Sequence, residues 1–209
     1  MPKWCYQTLL ISGEKDDLVP FANRLVESWH NYQGDPIKGQ CELLETFYPM
    51  PDDIYRGPFR FDDLESFVLK GQEADDYHEY VAAWTKEQLE TAKEKYGEYG
   101  WLWYFWSMQH WGSKWSDRET SIVDQNDTLL KLTFRSAWAP LIKGIWHISK
   151  DNLLLTFTLD FYDEMYDYPN GGIVVKNGEI LSQWEETKET YEKNFAEMFG
   201  EPVEGKLES

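Results

Sequence analysis

The chain has 209 residues, 38 of them Asp or Glu and 20 Lys or Arg, giving a formal net charge of −18. That length fits one large domain with room for an insertion, and 42% hydrophobic with 17% aromatic residues excludes bulk disorder. So acidic a surface repels phosphate backbones at long range, which argues against general DNA or RNA binding but not against a small anion in a local basic, aromatic pocket.

The elements follow in chain order. Residues 4–12 alternate loosely and predict a strand that stops at Gly13. Leu18, Phe21, Ala22, Leu25, Val26 and Trp29 recur at spacings of three and four, one apolar helix face, with Asp16 or Asp17 as cap and Pro20 in the first turn. Gly34-Asp35-Pro36 closes that segment. Residues 41–48 (CELLETFY) read as a second strand, ended by Pro49-Met50-Pro51. Residues 52–99 lose the period. They hold a short helix candidate at 62–69 and a polar helix opened by Thr85, with Gln88 three residues on as a capping box.

Five of the six residues from Trp101 to Trp106 are aromatic, on a helix expected over about 100–111 and stopped by Gly112. Such a helix is expected to be mostly core. Residues 117–123 and 129–136 read as strands, Pro140 opens a helix through Ile142, Ile145, Trp146 and Ile148, and 153–161 is a strand. A hairpin at 173–175 and 179–181 turns on Asn177-Gly178. A terminal amphipathic helix is expected over 184–199, then a flexible acidic tail over 200–209.

These elements predict an α+β protein, a ferredoxin-like sandwich with an antiparallel-rich sheet and helices on one face. It reads as a single domain over 1–199 with an insertion at about 52–99. Cys5 and Cys41 are too few for a disulfide scaffold and match a reducing cytosol. Lys3 is followed by mixed sequence rather than a signal-like apolar stretch, and no apolar run approaches the roughly 18 residues of a membrane span. The expectation is a soluble, cytoplasmic protein.

The opening Met1-Pro2-Lys3-Trp4-Cys5, the exit Tyr48-Pro49-Met50-Pro51, the turn Trp111-Gly112-Ser113-Lys114-Trp115 and the strand end Ala137-Trp138-Ala139-Pro140 occur in that order. In this the chain resembles the YubB-type ferredoxin-like proteins of phages and plasmids, most of unknown function. The resemblance implies the ferredoxin-like fold and a mobile-element origin, and supplies no agreed catalytic residues.

The Trp111–Trp115 turn is the leading site candidate. Lys114 supplies a point charge for phosphate, Ser113 a hydroxyl, and the indoles of Trp111, Trp115 and Trp138 a face on which a base stacks. Arg118 and Arg135 add planar, bidentate phosphate contacts, and Asp163 a carboxylate for ribose hydroxyls. The cluster Asp160, Asp163, Glu164 and Asp167 lacks the spacing and central Gly of a calcium loop and reads as solvated surface. His30, His78, His110 and His147 show no metal-ligand spacing, and no Cys pair, phosphate-cradling loop or nucleophile elbow is present. No catalytic residue, metal or cofactor is expected.

The expected function is a counter-defence protein that binds and sequesters a small nucleotide immune signal, an ADP-ribose derivative or a cyclic dinucleotide, without catalysis. Its setting would be the cytoplasm of an infected or plasmid-bearing bacterium, with a homo-oligomer sharing the site between subunits an open option. Two alternatives stand beside it. One is an acidic DNA mimic or protein–protein inhibitor of a host defence enzyme. The other is a hydrolase or lyase of a signal nucleotide, with His110 or the acidic cluster as base.

Overall fold

The computed structural model describes residues 3–26, 41–57, 68–69, 83–163 and 170–187. Within them the chain runs β1 (Trp4–Ser12), α1 (Lys15–Val26), α2 (Leu43–Phe47), α3 (Lys86–Gly100), α4 (Trp103–His110), β2 (Arg118–Gln125), β3 (Leu129–Ala137), α5 (Ile142–Asp151), β4 (Thr156–Asp163), β5 (Gly171–Lys176) and β6 (Glu179–Glu185).

Period-two alternation makes β1 the centre of the sheet. Cys5, Gln7, Leu9 and Ile11 are buried, while Trp4, Tyr6, Thr8 and Leu10 on the opposite face are half-buried. β3 and β4 flank it antiparallel, with Leu9 opposite Leu132 on one side and Leu159 on the other. The full order is β2-β3-β1-β4-β5-β6, antiparallel at every step. β1-α1-β2-β3-α5-β4 is therefore the ferredoxin-like arrangement, and the β5–β6 hairpin widens its β4 edge. The hairpin turns where expected, with Asn177 at φ 52° and Gly178 at φ 71°.

The helices close the face that carries Leu9 and Ile11. α1 buries Leu18, Phe21, Ala22 and Leu25, and Phe21 stacks on Phe47 at 4.0 Å and meets the edge of Phe157 at 5.9 Å. α5 lies on β4 and β5 with Ile145 and Ile148 inward. Gly144 lets α2 approach it: a Cβ there would sit 2.6 Å from the Leu44 side chain.

Two expectations change. The strand expected at 41–48 is helix α2, because the carboxylate of Asp117 accepts hydrogen bonds from the backbone N–H of Leu43 (2.9 Å) and Leu44 (2.8 Å). It thereby satisfies donors that a helix start leaves open. An apolar run of this length is ambiguous between strand and helix until a tertiary contact chooses. Trp184 lies in β6 rather than opening the terminal helix, whose remainder from residue 188 falls outside the described residues, as does the 200–209 tail. Only Val68 and Leu69 of the expected 62–69 helix are described.

The chain forms two compact units, Met1–Pro49 with His110–Ser209, and Met50–Gln109. The inserted unit is thus wider than 52–99 and takes in the whole Trp101–Trp106 run. It has its own core of Tyr55, Val68, Leu89, Ala92, Trp101 and Leu102. The Thr85–Gln88 capping box opens α3 as expected, and Gly97 at φ 79° interrupts it. Among the described residues no helix is long and apolar enough to cross a membrane.

Candidate functional site

At the end of β3 a buried polar network shapes a turn. Gln7, 1% exposed, donates through Nε2 to Ser136 Oγ (2.6 Å) and accepts from the Leu141 N–H (2.8 Å). Ser136 Oγ in turn donates to the Ala139 carbonyl (2.6 Å). Within that turn Trp138 adopts φ 65°, and its N–H donates to the Lys3 carbonyl at 2.9 Å. A bulky residue in the left-handed region costs about 1–2 kcal/mol and persists where the surroundings over-determine it. The result is an indole directed outward, 36% exposed.

The Trp111–Trp115 segment is fastened to the same turn. Ser113 is fully buried and its hydroxyl donates to the Ala137 carbonyl at 2.8 Å. Gly112, at φ 88°, supplies the left-handed residue that ends α4. Lys114 and Trp115 therefore emerge beside Trp138. The Trp115 and Trp138 rings are 5.8 Å apart, and Trp4 at the start of β1 stands 6.2 Å from Trp115. Lys114 Nζ lies 5.0 Å from the Trp115 ring and 5.4 Å from Trp138. The Arg135 guanidinium covers Trp4 at 4.2 Å and forms an ion pair with Glu119. Three indoles in a row thus carry one cation over the Trp4 end and another between Trp115 and Trp138, held by cation–π attraction.

Of the residues expected in the site, Lys114, Trp115, Arg135 and Trp138 come together. Trp111 and Ser113 do not face outward with them: both are buried, and the Trp111 indole N–H donates to the Tyr48 carbonyl at 3.0 Å. They position the loop instead. Arg118 is exposed on β2, opposite Arg135 in register, and its charge acts on Glu42. Asp163 is 2% exposed, pairs with Cys5 across β1, and shares the helix-covered face, away from the indoles. Trp4 and Glu119 were not foreseen. Only the antiparallel register, Trp4 opposite Ala137 and Arg118 opposite Arg135, reveals them.

The remaining candidates separate. Asp160 and Asp163 point to opposite faces of β4. Burial and then Glu186 raise the Asp160 carboxyl above the usual range, against Lys131. Glu164 and Asp167 fall outside the described residues, among which no group of three His, Cys, Asp or Glu is placed to hold a metal ion. Burial pushes Cys5 and Cys41 up to about 12, aided by Asp163 and Asp117 respectively, so neither thiol is reactive at neutral pH. The inserted unit has a cleft of about 350 Å³ lined by Asp52, Asp53, Trp84 and Glu87 among others, an acidic wall unsuited to phosphate.

Fold and cluster together define a ferredoxin-like α+β protein with an aromatic, cation-flanked platform at one end of its sheet. No family model matches the sequence, and no curated protein matches it. Among solved structures it is similar to protein api92 from Yersinia pseudotuberculosis, a crystal structure described under the family DUF1281, at 12% identity and a TM-score of 0.49, over 90% of this chain and 99% of that one.

Proposed function

We propose that this protein binds and holds a small nucleotide, its base stacked on the Trp4–Trp115–Trp138 row and its phosphate met by Lys114 and Arg135. The observation that supports this reading is the convergence of three indoles and two cations in a chain of net charge −18. Base stacking on an aromatic side chain is worth about 1–3 kcal/mol, and charge-assisted bonds to phosphate add to it. Lys114 already rests against two indoles, so a ligand phosphate exchanges a cation–π contact for an ion pair rather than ordering a free side chain. Arg135 is partly neutralised by Glu119, which matches the platform to a ligand of low charge, such as a cyclic dinucleotide or an ADP-ribose derivative, over a triphosphate.

The setting we infer is counter-defence in the cytoplasm of a phage- or plasmid-bearing bacterium, with the ligand sequestered unchanged. It rests on the motif resemblance. Heat-denaturing purified protein after incubation with each nucleotide, and analysing the supernatant, tests sequestration. Intact ligand in stoichiometric amount is expected. Accumulation of a cleaved product overturns sequestration in favour of turnover, and recovery of no ligand after desalting overturns binding.

A further inference from the structure

A second cluster lies apart from the indole row, where α5 meets the segment ending at Tyr48. Lys143, His147 and Lys150 recur at i, i+4 and i+7, one stripe along α5, with both lysines exposed and His147 half-buried. His147 is held by its ring faces: Tyr48 stacks on it at 4.2 Å and 9°, and Trp146 meets it edge-on at 4.8 Å. His110, where α4 ends, stands 5.8 Å from His147, and its Nδ1 shares a 2.8 Å hydrogen bond with the Tyr48 hydroxyl. Tyr48 is fixed from behind by the Trp111 indole bonded to its carbonyl. The Lys143 stem runs beside Gly112, which brings its charge to the His110 side, and Lys150 Nζ sits 3.2 Å from the Trp146 ring.

We propose that Tyr48, His110 and His147, bordered by Lys143 and Lys150, form a second binding site, for a small phosphate-class oxyanion, either free phosphate or a phosphate monoester. Three features carry this. The Lys143 stem lies on the His110 side and Lys150 over the neighbouring Trp146 ring, so two cations border two imidazoles, and among the described residues Asp151 acts on His147 and Tyr48. The same positive charges disfavour a metal cation between the imidazoles. Neutral imidazole also offers one N–H donor and one acceptor, and the Tyr48 and Trp146 rings fix the orientation of the His147 ring that presents them. Burial first and then Lys143 lower His110, and burial, His110 and Lys150 lower His147 against Asp151, so both are neutral donors at pH 7. The site stands independently of the nucleotide platform.

The test is a histidine-resolved NMR titration of the full chain with inorganic phosphate, and separately with phenyl phosphate, at ionic strength held constant with chloride. The ring signals of His110 and His147 are expected to shift saturably. With anion bound, the midpoint of His147 protonation should rise by about one pH unit. Lys143→Ala with Lys150→Ala, both exposed and so tolerated by the fold, should weaken binding about tenfold or more. Saturable shifts with either probe, lost in the lysine variant, support the site and show which form of phosphate it takes. Shifts no larger than in chloride, or unchanged in the lysine variant, overturn it.

Discussion

Asp117 lies 74 residues beyond Leu43, yet its carboxylate starts the helix that Leu43 opens. It also accepts from the Thr120 hydroxyl, whose own carbonyl takes the Cys41 N–H at 3.2 Å, so one 5% exposed side chain joins α2 to β2. Asp117→Ala should therefore lower stability by about 1–3 kcal/mol, read as a fall in the denaturant midpoint, because three donors lose one buried acceptor. This also explains a limit of sequence reading. Residues 41–48 carry no sign of a partner so distant, whereas the Thr85–Gln88 box is complete within four residues and was legible. His147 sets a pH dependence. Its folded value, about 4, lies below the ordinary 6.5, so the unfolded chain takes up the proton first. The contribution is present above pH 6.5 and is lost as pH falls towards 4; His110, also lowered, acts in the same sense. Asp160, raised, acts oppositely, its contribution being lost as pH rises. Denaturant midpoints between pH 7 and 5 should fall less steeply for His147→Gln than for the parent chain.

At the scale of elements, strands with period-two burial announced themselves. β1 occupies the expected residues, and β2 to β4 differ from expectation by a few residues at their ends. The β5–β6 hairpin was legible through Asn177-Gly178, but not its length. β6 runs on to Glu185 because Trp184 packs over Gly172, where a Cβ would stand 2.2 Å from the indole and 2.6 Å from the Leu159 carbonyl. That absence of a side chain across the strand pair is invisible in an alternation pattern. Gly172→Ala should separate β6 from β5 and cost about 1–3 kcal/mol by overpacking. Hydrogen exchange over residues 179–185 reads it directly: loss of protection there with β1 unaffected is the expected pattern. The hairpin is tied to α5 as well, since the Gly178 N–H donates to Ser149 Oγ at 2.9 Å and the Trp146 indole donates to the Gly178 carbonyl.

At the scale of the whole molecule, two cores imply two separable stabilities. Trp101 is 1% exposed within the core of the inserted unit. Trp101→Ala should cost that unit about 3–5 kcal/mol, with amides of α3 losing protection while those of β1 and β3 keep theirs. Of the aromatic run that dominates the sequence, Trp101 belongs to this second core and Phe105 packs against it. The candidate site draws instead on tryptophans dispersed along the chain, at 4, 115 and 138. The lysine between two of them could be read from the Trp111–Trp115 motif, whereas Trp4, which the strand register contributes, could not.

The most direct measurement is a thermal-shift titration with ADP-ribose, cyclic dinucleotides and plain mononucleotides, on the parent chain, Lys114→Ala and Trp115→Ala. A ligand at 100 times its dissociation constant stabilises by about 2.7 kcal/mol, a readily measured rise in melting temperature. The account predicts that rise for at least one nucleotide and its loss in both variants, each of which keeps the parent melting temperature without ligand to within a few degrees. No rise with any nucleotide, or a rise that survives both substitutions, would contradict a binding site on the indole row.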